Sequence, residues 1–268
     1  MAKKCSTFND VNCYGIILRN GRIDNLKQRK RPGENQGLGY YTSWEKTKGN
    51  GCIYCGRVAK TREHVPSKTF LNEPYPDNLP TIPACYECNN GYSKDEKYIS
   101  CFLDVLKSYV YIDYELKNST ITRLQEDIGL KKMIREQIFI KDDKVYFSVD
   151  DNKIKRILTK LARGHAGFEL DYVKFDDVGI DVKYNFLFNL SKDYIKTFNN
   201  DSTYSLAPEV GSRGTYLIQN LDLSDAKMVA MWNIVQNEQY RYQVLYNKSN
   251  IIVKIVIFEF LYCEVYFN

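Results

Sequence analysis

At 268 residues, with 44% hydrophobic and 14% aromatic side chains, the chain has ample material for a packed core of one large or two modest domains. The chain opens without a signal-peptide pattern and no apolar run approaches about 18 residues, which argues against an exported disulfide framework or a membrane span and sets the expectation of a soluble, cytoplasmic protein. The net charge is only +5 but is unevenly placed: residues 1–62 hold thirteen Lys and Arg against four acids, a local excess of +9 set against −4 over the rest.

Residues 1–49 read as a basic N-terminal arm. Lys27-Gln28-Arg29-Lys30-Arg31 lies at its centre and is followed by Gly-, Pro- and Asn-rich sequence, which suits a mobile segment that neutralises phosphates by counterion release. Arg29, Lys30 and Arg31 are therefore candidate nucleic-acid contacts, although a solvated leader would have the same composition. Tyr40, Tyr41 and Trp44 can stack on bases or pack onto the segment that follows.

That next segment, 50–116, contains two cysteine pairs, Cys52-Ile-Tyr-Cys55 and Cys85-Tyr-Glu-Cys88, with 29 residues between them. Two C-x2-C knuckles can aim four thiolates at one tetrahedral Zn²⁺ ion. A plain zinc ribbon and four free thiols are the alternatives. Cys5, Cys13, Cys101 and Cys263 show no pairing pattern, and Cys101 and Cys263 lie in apolar runs that suit a core. Between the knuckles stand Glu63-His64-Val65-Pro66 and Asn78-Leu79, and Asn89-Asn90-Gly91-Tyr92-Ser93 follows the last cysteine.

Over roughly residues 50–105 this string resembles the HNH endonucleases, in the subgroup whose small site is stapled by four cysteines. The resemblance implies a ββα-metal hairpin with His64 as general base, Glu63 and Asn89 as ligands of a catalytic divalent cation (Mg²⁺ or Mn²⁺), and Asn78 as the middle Asn. Asn90 is then a helix N-cap candidate. The chemistry suits the roles. His has an unperturbed pKa of about 6.5 and can take a proton from water near pH 7. A hard cation on oxygen ligands neutralises charge on the phosphate, and an Asn amide can hold the loop that orients His64. Two departures from the family pattern matter. Glu63 stands where Asp is commoner and would reach a metal through a water, and Tyr92 stands where many members have Lys, which makes Lys94 and Lys68 the replacement phosphate contacts. The other histidine, His165, ends a helical pattern without a cysteine or carboxylate partner in sequence and is expected to be structural.

Residues 117–268 are expected to form a C-terminal α+β domain. The apolar spacing of Ile99, Phe102, Leu103, Val105, Leu106, Val110 and Ile112 predicts that the helix opened by the site runs from Ser93 to Leu116 as a scaffold. Residues 136–149 predict a hairpin turning at Asp142-Asp143. Residues 152–166 predict an amphipathic helix with Ile154, Ile157, Leu158 and Leu161 on one face. Strands are expected at Val229–Val235, Tyr240–Tyr246, Ile251–Phe260 and Tyr262–Phe267. This β-rich end holds no Gly-rich phosphate loop and no repeat. It can read a protein partner, a nucleic acid or a small ligand, or brace the nuclease, and it is similar to the tails of some stand-alone bacterial HNH proteins of mobile elements and antiphage systems. The expectation is thus an α+β fold with a zinc-stapled ββα module, a helical scaffold and a β-rich end. It would cleave DNA, with RNA left open, and leave a 3′-hydroxyl and a 5′-phosphate. A non-catalytic zinc-dependent nucleic-acid-binding or partner-binding subunit is the alternative.

Overall fold

The structure is a computed structural model. It describes residues 51–199, 232–245 and 250–268 in full and, as backbone alone, residues 200, 246 and 247 and the strands at 14–18, 203–204, 218–222 and 227–230. Arg29, Lys30, Arg31, Tyr40, Tyr41, Trp44, Cys5 and Cys13 lie outside the described residues. The fold is α+β. The chain divides into two compact units that do not follow chain order: the described parts of one are strand Tyr14–Leu18 and residues 98–154, and those of the other are residues 51–97 and the described residues from 155 onward.

In the first unit, strand β1 (Tyr14–Leu18) pairs antiparallel with a later hairpin. Strands β2 (Thr61–His64) and β3 (Thr81–Ala84) and helix α1 (Tyr86–Gly91) belong to the second unit. Helix α2 (Ser93–Val110) buries Ile99, Phe102, Leu103 and Leu106, the spacing of one helical face. It ends at Val110, six residues short of the expected Leu116, and the chain after it is held by a fully buried carboxylate. Asp104 accepts hydrogen bonds from the Tyr114 hydroxyl at 2.5 Å and the Lys117 amide at 3.0 Å. Two helices without strong sequence signals follow, α3 (Asn118–Glu126) and α4 (Ile128–Gln137), the second capped by Asp127 accepting from the Leu130 amide at 2.9 Å. The expected hairpin is present as β4 (Ile138–Lys141) and β5 (Lys144–Ser148), giving a sheet of order β1-β5-β4. Asp142 and Asp143 have φ of 49° and 54°, the doubly left-handed geometry that matches the twist of a two-residue hairpin and that Asp tolerates better than most residues.

Helix α5 (Asp151–Leu170) is longer than expected at both ends, and from residue 155 onward it belongs to the second unit. Ile157, Leu158 and Leu161 are buried as expected, but so are Lys160, Arg163, His165 and Glu169, so this helix is covered on more than its apolar face. One side meets a five-stranded antiparallel sheet of β6 (Ile180–Phe186), β10 (Asn233–Gln236), β11 (Tyr240–Asn247), β12 (Asn250–Ile257) and β13 (Leu261–Phe267), in the order β10-β11-β12-β13-β6. Tyr240 and Tyr242, alternate residues of β11 and hence on one face, reach His165 and Glu169 of α5. The other face is covered by α6 (Lys192–Asn200), where Phe198 packs with Val256, Tyr262 and Trp232. Covered on both sides, β12 reads as a nearly continuous apolar run. It stops at Ile257 instead of the expected Phe260, because Phe258 and Glu259 adopt φ of 59° and 47° and turn the chain into β13. The stretch expected as one strand over Val229–Val235 is two: β9 (Lys227–Ala230), which joins β7 (Thr203–Tyr204) and β8 (Ile218–Asp222) in a small sheet, and β10.

Candidate metal centre and active site

The module around the cysteines is a hairpin followed by a helix. Strand β2 (Thr61–His64) pairs antiparallel with β3 (Thr81–Ala84), and α1 (Tyr86–Gly91) follows at once. The first knuckle turns back at Gly56, whose φ of +73° allows its amide to reach the Cys52 carbonyl at 2.8 Å. Backbone bonds from Ile53 to the Pro83 carbonyl and from Lys60 to the Ala84 carbonyl lay this knuckle beside β3. The second knuckle is itself a helix cap: Cys85 is the N-cap of α1 and its Sγ accepts from the Cys88 amide at 3.4 Å. The expected N-cap, Asn90, instead lies inside α1, and the helix breaks at Tyr92 before α2 begins, because the thiolate cap starts the helix five residues earlier.

All four sulfur atoms lie within 4.8 Å of one another, and Cys55 and Cys85 are 3.7 Å apart. A tetrahedral Zn²⁺ with bonds of about 2.3 Å places its sulfurs about 3.8 Å apart. The four thiols can thus hold a metal ion such as zinc, and among the described residues they are the one group of three or more Cys, His and acidic side chains placed to do so. Arg57 donates to Cys55 Sγ at 3.4 Å. Burial pushes the Cys55 thiol up, but the hydrogen bonds from the Arg57 side chain and backbone, together with those shared with Cys88 and Cys52, outweigh it and bring the pKa to about 6, towards the thiolate that a metal requires. With four sulfurs on one ion the site is closed, which suits a structural role.

His64 ends β2 opposite Thr81 and is half-buried. Alternation along the strand puts Arg62 on the same face as His64, and Thr61 and Glu63 on the other. Burial, then Lys68 and then Arg62, lower the pKa of His64, so that its imidazole is neutral near pH 7. Arg62 is exposed and donates to Thr81 Oγ1 at 2.8 Å, and exposed Lys68 lies 5.0 Å from the Tyr75 ring. Lys94 is exposed at the start of α2.

The three other expected site residues are placed less simply. Asn89 donates from Nδ2 to Thr61 Oγ1 at 3.1 Å, tying α1 to β2. Asn78 is exposed in the turn of Pro76 to Leu79, and its amide makes no hydrogen bond. The chain after His64 is held by other groups instead: Ser67 donates to Glu96 Oε2 at 3.1 Å, and the side-chain amide of Gln236, on β10, bonds Asn72 N at 2.7 Å, Asn72 O at 2.9 Å and Pro74 O at 3.3 Å.

Glu63 is buried, and its Oε1 accepts from Lys160 Nζ at 2.6 Å. The same ammonium reaches Glu96 Oε1 at 2.5 Å, and the side chains of all three residues are at most 6% exposed. Burial opposes the charge on Lys160, but Glu96 and Glu63 outweigh it and hold the ammonium protonated. A divalent cation on Glu63 would compete with that ammonium for the same buried carboxylate, a like-charge conflict that burial makes costly. The expectation that Glu63 and Asn89 bind a catalytic Mg²⁺ or Mn²⁺ therefore does not fit: Glu63 Oε1 is already held by the Lys160 ammonium, and Asn89 alone offers a single oxygen.

Lys160, Glu96 and Gln236 were not legible as site residues. Lys160 sits within an apolar helical pattern, and its partners lie 97 and 64 residues away in the chain. A signal did exist in Gly164 and Gly167. A Cβ on Gly167 would lie 1.9 Å from Ile53 Cδ1, and one on Gly164 would contact Val65 and Tyr54, so these two glycines mark where α5 docks on the module. His165, expected to be structural, is fully buried, bonds Tyr240 through Nε2 at 2.8 Å and stacks on Tyr242 with ring centroids 3.7 Å apart. Cys101 and Cys263 are core as expected.

No helix of the described residues is long and apolar enough to cross a membrane. No protein-family model, curated protein or solved structure matches the chain.

Proposed function

We propose that the protein is an HNH-type endonuclease that hydrolyses phosphodiester bonds in DNA, with His64 as general base. The observation that carries this reading is the setting of His64: neutral near pH 7, on the outer face of a two-stranded hairpin pinned by four cysteines, with the cations of Arg62 and Lys68 close enough to lower its pKa. In the reaction His64 takes a proton from water as the water oxygen attacks phosphorus. The bond from phosphorus to the 3′ oxygen breaks, that oxygen takes up a proton from solvent water, and the products are a 3′-hydroxyl and a 5′-phosphate. Arg62 and Lys68 face the charge that builds on the phosphate, and Lys94 extends the basic path. Cys52, Cys55, Cys85 and Cys88 would hold a zinc ion that staples the first knuckle to the start of α1 and takes no part in the chemical step.

The test is cleavage of supercoiled plasmid by zinc-loaded wild type beside His64→Ala. Nicking or linearisation that disappears in the variant supports the reading, and cleavage at an unchanged rate places the reaction elsewhere. Plasmid binding without cleavage by either protein would make the chain a zinc-dependent nucleic-acid-binding subunit.

A further inference from the structure

We propose that Lys160 is the built-in cation of this site, its ammonium standing where a divalent ion on Glu63 would have to stand. The inference rests on the nuclease reading for its bearing on cleavage, but its geometry is independent of that reading. Lys160 comes from α5, Glu63 from β2 and Glu96 from the first turn of α2, so one ammonium joins three elements at distances of 2.6 and 2.5 Å. The cluster is closed by further groups. Ser67, three residues beyond His64, donates to the second oxygen of Glu96, and the rings of Tyr92 and Tyr54 lie 5.7 and 6.0 Å from the ammonium. Two carboxylates against one ammonium leave a net charge of −1, and Glu63 Oε2 is buried without a hydrogen-bond partner. This combination is what a cation site looks like once a lysine has filled it. The oxygens are collected and desolvated, but the positive charge arrives on a side chain and cannot be exchanged. Glu63 then has no ligand role, and it holds the strand that ends in His64 against α5 and α2.

Without the ammonium, two buried carboxylates would face each other, and a divalent ion would be the natural replacement. The experiment uses Mn²⁺ as the probe, titrated into the zinc-loaded full chain and followed by the electron paramagnetic resonance signal of free Mn²⁺. Wild type and Glu63→Gln are expected to take up Mn²⁺ equally. Lys160→Met is expected to bind one ion at least tenfold more tightly, and the double variant Lys160→Met/Glu63→Gln to lose it again. An ion bound by wild type and lost in Glu63→Gln overturns the proposal, as does a folded Lys160→Met with wild-type uptake. Should Lys160→Met fail to fold, the comparison of wild type with Glu63→Gln decides by itself. These readings need no cleavage, so an inactive protein would count against the nuclease reading and leave the place of Lys160 decided.

Discussion

The chain has two histidines, and the regions around them show how differently one side chain can be used. His64 sits at the end of a short strand, half in solvent, with Arg62 and Lys68 beside it and with its neighbour Glu63 clamped by Lys160. His165 lies in the interior between α5 and β11, stacked on Tyr242 and bonded to Tyr240. Both imidazoles are kept neutral at pH 7, His64 mildly and His165 with a pKa pressed down to about 3, by burial and then by Lys160. The lesson is that a lowered pKa by itself does not mark a functional group: His165 has the larger shift and no access to a substrate. Accessibility and nearby exposed cations separate the two.

The largest effect that can break this contrast is loss of the four-cysteine cluster that can hold a metal beside the His64 region. Structural zinc contributes on the order of 10 kcal/mol to folding of units this small. Cys52→Ser or Cys88→Ser is therefore expected to abolish zinc uptake, one ion per chain in wild type by elemental analysis, and to unfold residues 51–91. The His165 region should keep its buried network in the same variants, which hydrogen exchange at β11 and β12 can follow. Folded wild-type protein free of zinc would remove the premise.

Next in size is His64 itself. His64→Ala should lower the cleavage rate at least about a hundredfold, the ordinary worth of a general base, while melting temperature and zinc content stay within error. Because the pKa of His64 is lowered, the acid limb of the rate profile should lie below pH 6.5. An acid limb above that value would assign the proton transfer to another group.

How much of this could be read from the sequence differs between the two regions for physical reasons. The knuckles follow from local spacing, as do the turn at Asp142-Asp143 and the apolar face of α2, because turns, caps and helix faces are set by residues a few positions apart, whereas the hairpin carrying His64 was expected from the family resemblance alone. Glu63 as a salt-bridge partner, Lys160, Glu96 and the Gln236 clasp depend on elements far apart in the chain, and no spacing rule ties Lys160 to Glu63. Helices α3, α4 and α6 escaped because their apolar residues are few, and Ile121 and Ile128 are in fact exposed. The break of β12 at Phe258-Glu259 escaped because positive φ at a bulky residue is imposed by tertiary contacts, with no glycine to announce it.

The His165 region gives a smaller, pH-dependent effect. Its folded pKa of about 3 lies below the ordinary 6.5. Above pH 6.5 neither the folded nor the unfolded chain binds this proton, so His165 adds no pH dependence there. Between 6.5 and 3 only the unfolded chain takes it up, and stability falls as pH drops. At about 1.4 kcal/mol per unit, the step from pH 7 to pH 5 should cost about 2 kcal/mol. Urea denaturation at the two pH values should show this loss in wild type and a reduced one in His165→Gln. Equal losses in both proteins would mean that His165 is protonated in the folded state.

The smallest expected effect tests the helix that serves both regions. Gly164 and Gly167 lie one turn apart on α5, on the side that meets the cysteine module. Replacing Gly by Ala inside a helix gains up to about 1 kcal/mol from backbone entropy where the methyl group has room. At Gly164 the nearest atoms would be 3.4 to 3.5 Å away, ordinary contact, so Gly164→Ala should raise stability by up to about 1 kcal/mol. At Gly167 the new methyl would lie 1.9 Å from Ile53 Cδ1 and 3.0 Å from its Cγ1, with the Tyr172 carbonyl at 3.4 Å. Ile53 is 2% exposed in a packed cluster with Cys52, Val65, Ile82 and Phe168, so it cannot move aside freely. Overpacking of about 1 to 3 kcal/mol should outweigh the entropic gain, for a net loss of about 1 kcal/mol in Gly167→Ala. Ile53→Val removes the Cδ1 atom that clashes, so Ile53→Val/Gly167→Ala should lose less than the two single variants combined. Opposite signs at positions 164 and 167, with rescue at 167 alone, would fix α5 against the first knuckle. Equal gains at both glycines would mean that the helix stands further from Ile53 than described.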